Sequence, residues 1–278
     1  MTIRGIGQLL TSASAHIKNG ELTMLEDGDY DRGAVNVVQR IGDTIRRPTG
    51  PWTPAVHALL AHLESHDFPY APRPLGLDAD GREILGFLPG KAALNPWPPV
   101  LRTDAGIVAL ATMVRAYHTA VQGFVPPPNA RWFVPEVAWQ PGQIIRHGDW
   151  GPWNTIWQEE RLVGLIDWDF CEPGTCLEEL AQVAWYCVPL RGADRIGGAG
   201  FTEMPNLRAR LHLLCATYDT TPALVVAALT VLQRKEMLRT TTLAQRGLYP
   251  WTHFRARGDV EEFTAEAAWL TAHTAALV

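Results

Sequence analysis

Apolar positions recur along this chain with two different periods, and the change of period divides it. Near the start, residues 21–25 and 34–41 (AVNVVQRI) are short apolar runs of strand length, and 44–47 begins another after the tight turn Gly42-Asp43. Residues 6–17 carry a weaker pattern that predicts a short helix leading into them. Between the first two strands lies the glycine-containing loop Asp27-Gly28-Asp29-Tyr30-Asp31-Arg32-Gly33. Residues 54–66 (PAVHALLAHLESH) place Val56, Leu59, Leu60 and Leu63 at helical spacing, with Pro54 in the first turn, where its missing N–H costs nothing. Residues 75–77 and 83–88 predict two further strands around the turn Asp78-Ala79-Asp80-Gly81, and Pro89-Gly90 stops the second. Beyond that point the period is helical. Residues 103–121 carry Ile107, Leu110, Ala111, Val114 and Tyr117 on one face behind Thr103 and Asp104, which can cap the helix. Residues 207–217, 222–240 and 259–276 repeat the spacing.

Residues 145–170 (IIRHGDWGPWNTIWQEERLVGLIDWDF) break the helical run. Two apolar segments, 155–157 and 162–166, flank the polar Gln158-Glu159-Glu160-Arg161, which reads as a β-hairpin. A hairpin brings its ends together, so Asn154 and Asp167 should lie side by side. Asp149 stands five residues before Asn154 on the loop leading in. Two carboxylates and an amide oxygen at one point suit Mg²⁺, a hard cation usually held by one or two carboxylates plus substrate phosphates. A second carboxylate nearby can orient a hydroxyl and take its proton. Together these groups equip a site for phosphoryl transfer, in which catalysis is mostly positioning and charge neutralisation.

Composition narrows the partners. A chain of 278 residues with 47% hydrophobic content can bury a large core, as one large domain or two lobes. A net charge of -5 and a pI near 6.0 leave no basic footprint for nucleic acid or an anionic membrane. Cys171, Cys176, Cys187 and Cys215 follow no metal-ligand spacing and read as reduced thiols of a cytoplasmic protein. No apolar run reaches membrane-spanning length, and the first twenty residues show no leader pattern.

The order His147-x-Asp149-x-x-x-x-Asn154, then a hairpin, then Asp167, matches the catalytic loop and metal-binding aspartate of the protein-kinase-like superfamily. HGDWGPWN followed by GLIDWD resembles the aminoglycoside phosphotransferase family within it. That resemblance implies a two-lobed α+β protein-kinase-like fold, with a small, mostly antiparallel β lobe over residues 1–90 and a larger helical lobe over 91–278. It implies Asp149 as catalytic base, Asn154 and Asp167 as Mg²⁺ ligands, and ATP or GTP as phosphoryl donor. Arg46, on the third strand, would point into the cleft and hold phosphates where kinases use Lys. Phe87 and Leu88, in the linker-like FLPG, would line the nucleotide site.

The acceptor implied is a small-molecule hydroxyl, on an antibiotic such as an aminoglycoside. Two other readings stay open: a metabolic kinase of choline, homoserine or sugar type, and a nucleotide-binding pseudokinase or immunity protein that sequesters a ligand. The sequence also departs from the family. The predicted helix over 54–66 has Val56 and His57 where a cation-pairing Glu is expected, and Gly148 stands where regulated kinases place Arg. The latter implies a constitutively formed site without a phosphorylation switch. Glu236, Asp259, Glu261 and Glu262, on late helices, are candidate acidic contacts for the acceptor.

Overall fold

A computed structural model describes residues 15–18, 21–24, 30–32 and 37–278. Strands β1 (Ala15–Lys18) and β2 (Glu21–Met24) pair antiparallel, so the end of the expected 6–17 helix is a strand instead; residues 6–14 lie outside the described residues. The sequence between the two strands is Asn19-Gly20, a strong hairpin signal that outweighs the weak helical pattern. Most of the glycine-containing loop, 27–29 and Gly33, also lies outside the described residues, while β3 (Tyr30–Arg32) takes up its remainder.

Strands β4 (Val37–Ile41), β5 (Thr44–Arg47), β6 (Pro74–Leu77) and β7 (Glu83–Gly86) join β3 in an antiparallel sheet of order β3-β4-β5-β7-β6. Helix α1 (Thr53–Ser65) packs Val56, Leu59, Leu60 and Leu63, each at most 1% exposed, into the core. Burying a side chain of that size contributes roughly 2 kcal/mol, which holds the helix to the sheet despite its lack of a side-chain N-cap.

The larger lobe is built on α2 (Asp104–Ala120). Thr103 stands at its N-cap position, yet its hydroxyl donates to the Val100 carbonyl (2.7 Å) rather than accepting from the helix. Short strands β8 (Lys91–Ala92), β9 (Ile144–Arg146), β10 (Thr155–Gln158), β11 (Arg161–Leu165) and β12 (Glu172–Gly174) form two small antiparallel sheets, of order β11-β10-β8 and β12-β9. β10 and β11 are the expected hairpin, turned by Glu159 at a positive φ of 53° and Glu160. Helices α3 (Cys176–Cys187), α4 (Ala193–Ile196), α5 (Leu207–Tyr218), α6 (Pro222–Gln245), α7 (Trp251–Arg257) and α8 (Asp259–Leu277) complete the lobe. One apolar cluster runs from Val38 to Leu277 through both lobes, with Tyr117, Trp150, Trp168 and Trp185 at its centre. Among the described residues no single helix is long and apolar enough to cross a membrane. The four cysteines are free thiols; Cys171, Cys187 and Cys215 are buried and Cys176 is half-buried.

Candidate active site

Asp149 lies on the loop between β9 and β10, and its neighbours fix that loop from below. His147 is fully buried. Its Nδ1 accepts from the Asp149 N–H (3.3 Å), which leaves Nε2–H to donate to the Ile166 carbonyl (3.0 Å). Burial pushes His147 down to about 4, so the ring is neutral, in the tautomer these bonds require. It works as a strut for the loop.

Gly148 has φ +79°, and a Cβ there would sit 2.1 Å from the Phe170 carbonyl oxygen. Any side chain at this position would displace the loop, so this backbone does not admit an arginine here.

Two residues of α3 grip the loop from the other side. The Glu179 carboxylate accepts the N–H groups of His147 (3.1 Å) and Gly148 (3.3 Å). Gln182 accepts from Trp150 N–H (3.0 Å) and donates to the Gly148 carbonyl (2.8 Å). A capping box between Thr175 and Glu178 starts α3 at the register that presents both. Neither Glu179 nor Gln182 is among the site residues that the sequence pattern predicts. The readable signal was a polar pair at i, i+3, one turn apart, in an otherwise apolar run that the fold buries on nearly all sides.

The three polar groups expected to converge do so. Asn154 Nδ2 donates to both the Asp149 carbonyl (2.9 Å) and its Oδ2 (2.8 Å), and Trp153 Nε1 lies 3.4 Å from the same Oδ2. The Ile166 N–H bonds the Asn154 carbonyl (2.9 Å), so Asp167 leaves the hairpin beside it. Asp167 takes φ 63° and ψ 66°, a left-handed conformation uncommon outside glycine and concentrated at functional sites. Burial, reinforced by the Asp167 carboxylate, pushes Asp149 up to about 7. Asp167 itself rises to about 6, because burial and Asp169 outweigh the pull of Arg47.

Asn154 is fully buried; both bonds of its amide nitrogen go to Asp149, and its Oδ1 has no hydrogen-bond partner. A buried amide oxygen in that state beside two carboxylates is the donor set a hard cation takes. The residues present therefore fit Mg²⁺.

The strand cation is a correction. Arg46 does not face the cleft: its Nη1 donates to Thr44 Oγ1 (2.6 Å) and its Nε lies 3.9 Å from Asp78. Arg47 does. Its guanidinium spans Glu83 (2.5 Å), Asp167 (3.1 Å) and Asp169 (2.7 Å) and is 3% exposed. The reason is the period of two: Ile45, at 4% exposure, must face the core, and Arg47 shares its side of the strand. Burial alone would lower the Arg47 pKa, but the three carboxylates hold it well above its usual range.

Phe87 and Leu88 follow the end of β7 instead of lying within the strand. Phe87 N–H donates to the Asp43 carbonyl (2.9 Å), and the Arg40 guanidinium lies 3.9 Å from its ring centroid. Leu88 packs with Ala92, Leu94, Ile156 and Ile166, next to the β10–β11 hairpin.

On the far side, Glu236 pairs with Arg239 (3.0 Å) and contributes to the upward shift of Asp149. Trp153 meets Tyr186 edge to face, with ring centroids 5.0 Å apart. Asp259 pairs with Arg257 and Glu262 with Arg191, each at 2.6 Å. Below the site, Glu172 receives Arg146, Arg239 (2.7 Å) and Lys235 (3.5 Å). Its carboxylate ties the segment after Asp167 to β9 and α6, and this cation pairing outweighs burial to hold it down at about 2.

Residues 129–214 match the family described as Phosphotransferase enzyme family. The chain is 34% identical over 189 residues to the trifolitoxin immunity protein of Rhizobium leguminosarum bv. trifolii, covering 65% of this chain and 70% of that one. Its fold is similar to that of a choline/ethanolamine kinase family protein from Mesorhizobium loti, with a TM-score of 0.54 and 16% identity over 87% of this chain and 92% of the other. It is also similar to the GDP complex of wild-type aminoglycoside 2'-phosphotransferase-IIIa, with a TM-score of 0.51 and 13% identity over 89% and 92%.

Proposed function

Because this chain belongs to the phosphotransferase enzyme family, within the protein-kinase-like superfamily, we propose that it moves the γ-phosphoryl of ATP or GTP to a hydroxyl of a small molecule. The observation that carries this reading is the convergence of Asp149, Asn154 and Asp167 beside the buried Arg47, with Asn154 Oδ1 left without a partner. Asp149 accepts the acceptor's hydroxyl proton. Its raised pKa makes it a stronger base than an ordinary carboxylate at neutral pH. Asn154 and Asp167 would hold Mg²⁺, which when bound neutralises developing phosphate charge. Arg47 takes the phosphate-holding role expected of Arg46, and Phe87 and Leu88 line the nucleotide base. The lobes divide at Pro89-Gly90, giving a nucleotide lobe over 1–90 and an acceptor lobe over 91–278. The acceptor is an antibiotic such as an aminoglycoside, and the protein works in the cytoplasm.

A second reading has its own support. Arg47 already pairs with Asp167 and Asp169, so the chain itself compensates part of the carboxylate charge, and the curated relative is named for toxin immunity. On this reading the protein protects by sequestering its ligand without transfer.

The deciding experiment expresses wild type and Asp149→Asn in a bacterium sensitive to a panel of antibiotics and follows phosphate incorporation in vitro. Protection lost in Asp149→Asn together with phosphorylated product supports transfer. Protection retained in Asp149→Asn without product supports sequestration.

A further inference from the structure

Arg47 is bound by three carboxylates, and only two belong to the site. Glu83, on the neighbouring strand β7, is the third. It faces Arg47 across the sheet register and is 1% exposed. Its Oε1 accepts from Arg47 Nε at 2.5 Å, and its Oε2 accepts from His57 Nε2 at 2.8 Å. His57 projects from α1 and is 19% exposed at its side chain. The Glu83 carboxylate is therefore pinned at both oxygens, by a strand on one side and a helix on the other. Arg47 Nε is committed to Glu83, which turns Nη1 and Nη2 toward Asp167 and Asp169.

A guanidinium is a planar fork, so fixing one edge fixes the direction of the other. The pairing with Arg47 and His57 also outweighs burial and holds the Glu83 pKa below its ordinary value, so the carboxylate is ionised and available to both.

We propose that Glu83 and His57 are positioning residues for nucleotide phosphate: together they lock the Nε edge of Arg47, which keeps its two terminal nitrogens on Asp167 and Asp169 at the phosphate side of the proposed site. This rests on the reading that Arg47 meets the nucleotide. Without the lock, Arg47 keeps its charge but loses its aim. A role that only ties β5 to β7 would instead affect the phosphate-free nucleoside and the triphosphate equally.

The test is calorimetric titration of MgATP, MgGTP, adenosine and guanosine into wild type, Arg47→Ala, Glu83→Gln, His57→Ala and His57→Gln, with a melting curve for each. His57→Ala should weaken triphosphate binding about tenfold, the scale of a hydrogen bond to a charged group, and leave the matching nucleoside unchanged. His57→Gln keeps an N–H donor toward Glu83 and should recover most of that loss. Combining Arg47→Ala with His57→Ala should cost no more than Arg47→Ala alone. The proposal fails if Arg47→Ala selectively loses the triphosphate while His57→Ala and Glu83→Gln weaken nucleoside and triphosphate alike, or neither. If Arg47→Ala spares the triphosphate, or wild type binds neither triphosphate, the reading of the site falls and the proposal falls with it.

Discussion

In the proposed mechanism Asp149 faces a double demand: it must be ionised to act as a base, yet it sits buried beside Asp167. Asn154 and Trp153 ease the conflict by donating to its Oδ2. Replacing it with Asn keeps the size and the loop geometry and removes the base. Asp149→Asn should therefore bind MgATP with near-native affinity, while turnover falls about 10²-fold or more; steady-state rates and calorimetry on one preparation check both halves. His118 makes a separate, pH-dependent contribution. Its Nδ1 bonds the Tyr218 hydroxyl (2.6 Å), and Nε2 lies 3.7 Å from Glu179, the residue that holds the catalytic loop. Burial would lower its pKa, but the Cys176 thiol and the Glu179 carboxylate outweigh burial and lift it to about 9. Because the folded value lies above the unfolded one, this stabilisation is complete below pH 6.5 and is lost as pH rises through about 9. Wild type should thus melt progressively lower across that window, and His118→Gln should flatten that slope. A slope unchanged in the variant would exclude His118 as its source.

At the scale of elements, β5 decides which cation the site receives. Arg47→Ala should raise the nucleotide KM strongly and Arg46→Ala hardly at all, because only the former lies on the inward side with Ile45. Equal effects would contradict the facing of the strand. β12 does a comparable job below the site. Glu172 joins it to β9 through Arg146 and to α6 through Arg239 and Lys235. A permanent carboxylate thus organises the segment after Asp167, where a switchable enzyme would need an added phosphate. Glu172→Gln removes the carboxylate that Arg146, Arg239 and Lys235 share, leaving Arg239 to Glu236 and Lys235 to Glu178, and should cost about 3 kcal/mol of stability in urea unfolding. A loss under about 1 kcal/mol would mean that the cluster is solvated in practice.

For the whole molecule, ion pairs join the two lobes in addition to the shared apolar core, Arg47 from one side and Asp167 with Asp169 from the other. Asp167→Ala should abolish the Mg²⁺-dependent part of nucleotide binding; a thermal shift with MgATP that persists in this variant would place the cation elsewhere. What the sequence determined by itself was local. The hairpin over 155–165, the convergence of Asp149, Asn154 and Asp167, and the helices of the larger lobe follow from periodicity and from groups joined by a few residues of chain. What tertiary structure decided was which distant partner each charge finds. Arg47 meets carboxylates 36, 120 and 122 residues away, and Glu179 reaches back 32 residues to His147. Ile45 did mark the inward side of β5, so Arg47 was within reach of a reading that weighed burial above family alignment. The Glu83–His57 lock was not, because it depends on β7 lying beside β5 and on α1 crossing the sheet at one particular height. Periodicity says which face of an element is buried; only packing says what waits on the other side.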